Sequence, residues 1–196
     1  MSVKGTSTTS DYLPYEDYKK LVQSLISEGN YWWACYCILS FCTGLRFSDV
    51  SRLRWCDVLD KKSIVIQAKK TKKTHVIPIG ANASEHLATL YEKMKIKHKT
   101  EVILSCPEDR EKSVSIQTVN RRLKTFKKKY DLHIENFSTH TFRKTFGRYV
   151  YEKSGRTNES LLYLNRIFKH QNLDTTMIYL GIRDEEIAGI FNSIEI

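Results

Sequence analysis

Two arginines, two histidines, a lysine and a tyrosine lie along this chain in an order that suits attack on a phosphodiester without a metal. They are Arg46, Lys70, His140, Arg143, His170 and Tyr179. A phenol is a weak nucleophile near neutral pH, and a phosphodiester repels nucleophiles. Attack succeeds when fixed cations neutralise the phosphate and a proton acceptor activates the phenol. His140 and Arg143, three residues apart, share one face near a helix N-terminus, where free N–H groups favour a phosphate. Two guanidinium groups can clamp the non-bridging oxygens of one phosphate bidentately. Arg46 follows Thr43-Gly44-Leu45 at the end of an apolar run, where a turn residue can be held rigidly. Asp49, three positions on, is placed either to orient that guanidinium or to sit in the first turn of a helix. Lys70 lies in the run Lys69-Lys70-Thr71-Lys72-Lys73. Neighbouring ammonium groups lower a lysine's pKa and fit it to donate a proton.

Each of these residues also has an ordinary explanation when taken alone. His-x-x-Arg on a cationic helix is usually surface, and an Arg–Asp surface pair adds little stability. A lysine-rich loop is usually solvated, a histidine ending a helix usually meets exposed carbonyls, and most tyrosines are half-buried core residues. Tyr179 is one of 11 tyrosines, so its presence alone decides nothing. The weight lies in all six occurring in order, each in a suitable local setting.

Composition is compatible with this chemistry. The 196 residues are enough for one sizeable domain, and 41% hydrophobic content supplies a core. Lys and Arg total 32 against 22 acids, a formal charge of +10, which favours a polyanionic partner: nucleic acid first, an anionic membrane second. The five cysteines, Cys35, Cys37, Cys42, Cys56 and Cys106, contain no Cys-x-x-Cys pair. They read as reduced, mostly buried thiols of a cytoplasmic protein, not as a zinc knuckle or a disulfide framework. Residues 1–10 lack the apolar segment of a signal peptide. The longest apolar run, Tyr31 to Phe41, is too short to span a bilayer, so no membrane attachment is expected.

The elements that must position the six residues can be read from periodicity and punctuation. Residues 1–11 are Ser/Thr/Gly-rich and read as a linker or disordered end, with one domain over 12–196. A helix starts after Leu13-Pro14 and carries Leu21, Val22, Leu25 and Ile26 as a stripe. Tyr31 to Phe41 reads as a buried central helix. Thr43-Gly44 turns the chain, and Ser48 caps a short helix through Leu53. Ser63 to Gln67 and Thr74 to Ile79 are strand-like, forming a hairpin with the lysines at its tip. Ala83 to Lys97 is expected to be helical and Glu101 to Leu104 a short strand. Ser115 or Thr118 caps a basic helix ending near Tyr130, and Ser138 or Thr139 caps one carrying His140 and Arg143 to about Glu152. Thr157 or Asn158 opens a third, with Leu161, Leu162, Leu164, Ile167 and Phe168 as its core face. Asp174 caps a short helix holding Tyr179, and Ile187, Ile190, Phe191 and Ile194 make a last amphipathic segment. The expected fold class is mainly α with a small antiparallel β-sheet (α+β).

At these residues the chain resembles the tyrosine recombinase (phage integrase) family, in its catalytic domain. The family's arginine motif is similar to Thr43-Gly44-Leu45-Arg46 with Ser48-Asp49. Its hairpin lysine maps onto Lys70 ahead of Val76-Ile77-Pro78-Ile79, 24 residues after Arg46. Its His-x-x-Arg matches His140 and Arg143, its second histidine matches His170, and its Thr-Thr-x-x-Tyr matches Thr175-Thr176-Met177-Ile178-Tyr179. The resemblance covers residues 12 to 190 or so. The departures are Phe168-Lys169-His170 where Leu-Gly-His is usual, and Lys144 where His or Arg is frequent. A longer stretch also separates Arg143 from His170, with an extension around Glu152 to Asn158. The family's N-terminal DNA-clamping domain has no counterpart here, which fits either part of a longer integrase or a naturally short one.

The resemblance implies that Tyr179 attacks a scissile DNA phosphate, giving a 3′-phosphotyrosyl link and a free 5′-hydroxyl. It implies that Arg46 and Arg143 neutralise the developing charge, that Lys70 protonates the leaving oxygen, that His140 accepts or relays the Tyr179 proton, and that His170 hydrogen-bonds the phosphate. No metal or other cofactor is called for. Lys69, Lys72, Lys73, Arg121, Arg122, Lys124, Lys144 and Lys169, with the run Lys127 to Lys129, are expected to contact double-stranded DNA. The family works as tetramers, which assigns the segment 184–196 to docking on a neighbouring subunit; docking on its own core is the competing arrangement. Three other readings compete: a type IB topoisomerase with similar residues, a non-cleaving DNA-binding regulator on the same fold, and a generic basic RNA-binding protein. The short Arg46–Lys70 interval and the tail favour the recombinase over the first. The presence of all six residues disfavours the second. The third lacks any stacking pattern for bases.

Overall fold

Hydrophobic periodicity and glycine punctuation place nine helices and one hairpin along the described residues of the computed structural model, which are 10–67, 74–182 and 194. Helix α1 (Tyr15–Ser27) starts after Pro14, has Glu16 and Asp17 in its first turn, and buries Tyr18, Leu21, Val22 and Leu25. Acids there complement the positive end of the helix dipole. Helix α2 (Tyr31–Thr43) is buried from Ala34 to Phe41 and forms the centre of the molecule, as its all-round apolar sequence requires. It contacts α1, α5 (Ala81–Lys93) and α7 (Thr141–Lys153). Gly44 ends α2 at φ 58°, and a Cβ there would come within 2.8 Å of the Phe146 ring, so both backbone and packing demand glycine. Short helices α3 (Phe47–Val50) and α4 (Trp55–Val58) follow.

Strands β1 (Ser63–Gln67) and β2 (Thr74–Pro78) pair antiparallel, with Val65 opposite Val76 and Ile66 opposite His75. The alternation turns Ile64 and Ile66 of β1 inward, and His75 and Ile77 of β2 are the less exposed residues of their strand. The hairpin tip, with Lys69, Lys70, Lys72 and Lys73, lies outside the described residues. The segment 184–196 does so too, apart from Ile194. Helix α6 (Ile116–Lys129) is capped by Ser115, whose hydroxyl accepts from the Thr118 amide at 3.1 Å. Thr157 caps α8 (Asn158–Phe168) in the same way.

A large core surrounds α2, and a smaller one gathers Tyr151, Leu161, Leu164, Phe168 and Leu180 from α7, α8 and α9 (Leu173–Leu180). Phe146 on α7 packs against both. No helix of the described residues is long and apolar enough to cross a membrane.

Several local expectations are corrected. Helix α5 runs Ala81–Lys93, not to Lys97, because Lys95 turns left-handed at φ 52°. Glu101 to Leu104 makes one isolated bridge, Arg54 with Val102, and no strand. The N-cap of α7 is His140 and that of α9 is Asn172, whose side chain accepts from the Thr175 amide at 2.8 Å; Asp174 sits inside the first turn. Leu162 and Ile167 are exposed, so only Leu161, Leu164 and Phe168 form the α8 core face. Ser10 and Asp11, expected in a terminal linker, are tied to the segment before α7. The Ser10 hydroxyl lies 2.8 Å from that of Ser138, and Asp11 exchanges backbone and side-chain bonds with Asn136.

Gly147 sets the closeness of α7 to α8 and α9. A Cβ at that position would stand 2.5 Å from Leu180 Cδ2 and 2.8 Å from Phe168 Cζ, both on fully buried side chains. Gly147→Ala gains about 1 kcal/mol of helix propensity but overpacks a closed core, at a cost of about 1–3 kcal/mol. The expected outcome is a lower urea midpoint with loss of order around α9, measured by equilibrium unfolding and amide exchange. An unchanged midpoint would mean the two side chains can retreat freely.

Candidate active site

The site is organised by one buried arginine. Arg143, in the first turn of α7, is only 4% exposed. Its guanidinium donates to the carbonyl of Gly44 at the end of α2, and to that of Phe168 at the end of α8 at 3.0 Å. The Phe168 ring lies 4.3 Å beneath it, a cation–π contact that offsets part of the desolvation. Burial lowers its pKa to about 10, with Arg46 adding to the depression and Tyr179 opposing it. Even so, the group stays charged at neutral pH.

Arg46 emerges from the Gly44-Leu45 turn as the N-cap of α3 and lines the same cleft of ≈ 490 Å³. Gly44, Asp49, His75, Arg143, Phe168 and Lys169 also line it. Asp49 is buried in the first turn of α3 and accepts from Arg52 at 3.1 Å.

Tyr179 stands on α9 with its ring held edge-on by Phe168 (centroids 5.2 Å apart) and His170 (5.1 Å). The Lys144 ammonium lies 5.2 Å and the Arg143 guanidinium 5.9 Å from the ring centre. The hydroxyl is buried, and its neighbour is the Arg143 guanidinium, which interacts with it without the geometry of a well-aligned hydrogen bond. Arg143 is nevertheless close enough for its charge to favour the phenolate. Burial dominates and raises the phenol's pKa, while Arg143 and Arg46 pull it down. The phenol is therefore neutral at physiological pH.

His170 follows α8 directly. Its Nδ1 lies 3.0 Å from Thr176 Oγ1, which also accepts from Asn165 Nδ2 at 3.0 Å. With Asn165 donating, Thr176 has its own proton for Nδ1, which leaves Nε2–H as a donor. Desolvation, then Arg143 and Arg46, lower the His170 pKa to about 4, so the ring is neutral when it donates. His140 stands exposed at the start of α7, one turn before Arg143. Although the residue keeps an exposed edge, desolvation by its surroundings lowers its pKa, and Arg143, Arg46 and Lys144 add to the effect, so it too is neutral and able to accept a proton.

The structure thus brings Arg46, Arg143, His170 and Tyr179 together, with His140 within electrostatic reach. Lys70 lies outside the described residues. Lys144 is largely buried beside Tyr179, and Lys169 reaches across the cleft to His75. Arg121, Arg122 and Lys124 are exposed on α6, which is tied to the α7 entrance by Asn120 Oδ1 accepting from the Thr139 amide at 3.0 Å. Lys127 and Lys129, grouped with them on charge alone, are occupied within the molecule. Lys127 donates to the Glu135 carbonyl at 3.0 Å, and Lys129 pairs with Glu28. Sequence reasoning passed over His75, Asn165 and the bracing role of Phe168. Strand alternation, which puts His75 on the same face as Ile77, was the available signal for the first. The other two have none short of three dimensions.

The family model described as "Phage integrase family" matches residues 11–186. Tyrosine recombinase XerC of Caldanaerobacter subterraneus subsp. tengcongensis is 26% identical over 184 residues, covering 92% of this chain and 50% of the relative. Among solved structures, XerA recombinase superposes with a TM-score of 0.72 at 18% identity, over 95% of this chain and 66% of that one. XerH site-specific recombinase, bound to its palindromic difH substrate in a post-cleavage complex, gives 0.68 at 15% identity, over 98% and 58%. The chain spans about half the length of the XerC relative.

The depressed His170 pKa has a stability consequence. The folded ring resists a proton that the unfolded ring accepts near the ordinary histidine value. Stability is therefore whole above that value and declines as pH falls from it toward about 4, where the folded ring also titrates. His170→Asn should remove part of this acid decline in urea midpoints while leaving the midpoint above neutral pH little changed. An acid decline equal to that of the parent would place the loss elsewhere.

Proposed function

The chain belongs to the phage integrase family, and from that premise we propose that it is the catalytic domain of a site-specific DNA recombinase that breaks and rejoins strands through a phosphotyrosyl intermediate. The single observation that carries this reading is the buried Tyr179 hydroxyl set against the Arg143 guanidinium, with Arg46 and a neutral His170 close by. A phenol beside fixed cations is placed where a bound phosphate would bring its phosphorus within reach and neutralise those cations.

In the proposed reaction, Tyr179 Oη attacks the scissile phosphorus and its proton passes to His140. Arg46 and Arg143 hold the two non-bridging oxygens as negative charge develops on them. Because Arg143 is already fixed by two carbonyls, no reorganisation is needed as the charge develops. His170 donates from Nε2 to a phosphate oxygen. The P–O5′ bond breaks, and Lys70 gives its proton to the leaving oxygen. The product is a 3′-phosphotyrosyl ester and a free 5′-hydroxyl. Attack by a 5′-hydroxyl reverses every step, so no external energy source enters.

The substrate in this reading is double-stranded DNA. The net charge of +10 and the exposed Arg121, Arg122 and Lys124 support it, as does the resemblance to a recombinase solved with its DNA substrate. The hairpin lysines Lys69, Lys72 and Lys73 would add backbone contacts. A homotetramer assembled on DNA through the segment 184–196 and a cytoplasmic location belong to the same proposal, as does a catalytic domain comprising residues 12–196.

Two experiments test it. A nicked suicide DNA substrate should yield a covalent protein–DNA adduct that Tyr179→Phe abolishes, and Arg143→Ala should slow adduct formation by on the order of 10²–10³. An adduct persisting in Tyr179→Phe overturns the nucleophile. Lys70→Ala should be slow on ordinary DNA, yet near normal on a 5′-bridging phosphorothiolate, whose sulfur leaves without a proton. Absence of rescue would move the acid to Lys69 or Lys72.

A further inference from the structure

Lys169 is the C-cap of α8 and adopts φ 53° and ψ 47°, a left-handed conformation that suits glycine and crowds a Cβ. A long cationic side chain is therefore held where the backbone alone would prefer none. That side chain crosses the cleft, and its Nζ donates to Nε2 of His75 on β2 at 2.9 Å. Both residues line the cleft with Arg46 and Arg143. Lys169 also sits between two residues already placed in the site. Phe168 offers its carbonyl and ring to Arg143, and His170 is braced by Thr176 against the Tyr179 ring.

We propose that Lys169 and His75 form a latch across the cleft, in which both act as positioning residues: the bond to β2 fixes the α8–α9 turn, and through it Arg143 and His170. This rests on the phosphotyrosyl reading of the site and adds to it two residues that the chemistry itself does not require. The latch ties the turn to the sheet, while the Asn165 side chain, which donates to the Asn172 carbonyl at 2.7 Å, ties it within itself.

The bond has a definite polarity. Lys169 has only protons to give, so His75 accepts at Nε2 only while it is neutral. The charged groups facing His75 come from three elements: Lys169 from the α8 end, Arg46 and Asp49 from α3 and its cap, and Arg143 from α7. Burial and then the Lys169 charge push the His75 pKa down, with Arg46 and Arg143 adding and Asp49 opposing. The latch is closed at neutral pH and opens as pH falls below the His75 pKa, where two cations would meet end to end.

The test uses Lys169→Gly, His75→Leu and His75→Gln in the full chain. It measures the single-turnover rate of covalent adduct formation, DNA affinity at fixed salt, and thermal stability. Lys169→Gly relieves the left-handed residue, so its melting temperature should hold or rise, while adduct formation slows by on the order of tenfold to 10²-fold through misplacement of the site. His75→Leu should slow it alike with DNA affinity near the parent value, whereas Lys169→Gly should lose no more affinity than one phosphate contact supplies. His75→Gln, whose side-chain oxygen accepts at any pH, should keep the parent rate and flatten part of its acid limb. Parent-like rates in Lys169→Gly, or a loss of affinity with the rate unchanged, overturn the latch and make Lys169 a plain backbone contact. NMR titration of His75 decides the matter independently of cleavage. Its pKa should rise in Lys169→Gly, and an unchanged titration curve refutes the contact. Failure of the parent protein to form any adduct would instead overturn the phosphotyrosyl reading.

Discussion

The buried guanidinium of Arg143 is the constraint around which the rest of this structure is arranged. A charge taken out of water needs partners, and here they are two backbone carbonyls at the ends of α2 and α8. Helix C-termini carry partial negative charge and unsatisfied carbonyls, so both ends are natural acceptors for a cation. One side chain thereby locks two distant elements to α7. The two local conditions for this are Gly44, which turns left-handed beneath the Phe146 ring, and Gly147, which lets Phe168 and Leu180 close on α7.

Burial first, and this concentration of positive charge after it, shifts the titration of the groups nearby. His75, His140 and His170 are all held below the ordinary histidine value, in each case by burial first and by Arg143 and Arg46 among the further causes. Neutral imidazoles can accept or donate a single proton, whereas imidazolium groups would only add charge. Tyr179 experiences the opposite balance: burial raises its pKa, and the arginines restrain the rise. Neutral imidazoles and a protonated phenol beside fixed cations suit the proposed reaction, in which a phosphate would relieve the repulsion among the cations.

Packing sets the spacing of the side chains in the site. Phe168 touches Arg143, His170 and Tyr179 by ring contacts, so one apolar side chain spaces three functional ones. The hydrogen-bonded run from Asn165 through Thr176 to His170 joins α8 to α9 below them. Polar groups that are fully partnered in this way rigidify their surroundings instead of destabilising them.

Much of the site could be read from sequence because its residues occupy positions where local order is dictated by neighbours a few places away. The apolar run of α2, the glycine that ends it, the Ser115 and Thr157 caps and the strand pair are short-range facts, and they fixed where Arg46, Arg143 and Tyr179 stand along the chain. Short-range signals failed where the decision was made at long range. Lys95 ended α5 early, Leu162 and Ile167 proved exposed, and Lys127 and Lys129 were drawn into contacts with Glu135 and Glu28. What the sequence determined by itself was the set of chemical groups, their order and the elements carrying them, because helix and turn propensities act within a few residues. Only the tertiary structure decided that Arg143 would be buried between two helix ends, that Lys169 would reach His75 94 residues away, and that the Tyr179 hydroxyl would be buried against Arg143. Those outcomes depend on which surfaces meet, and contacts between distant residues leave no periodic trace in a single sequence.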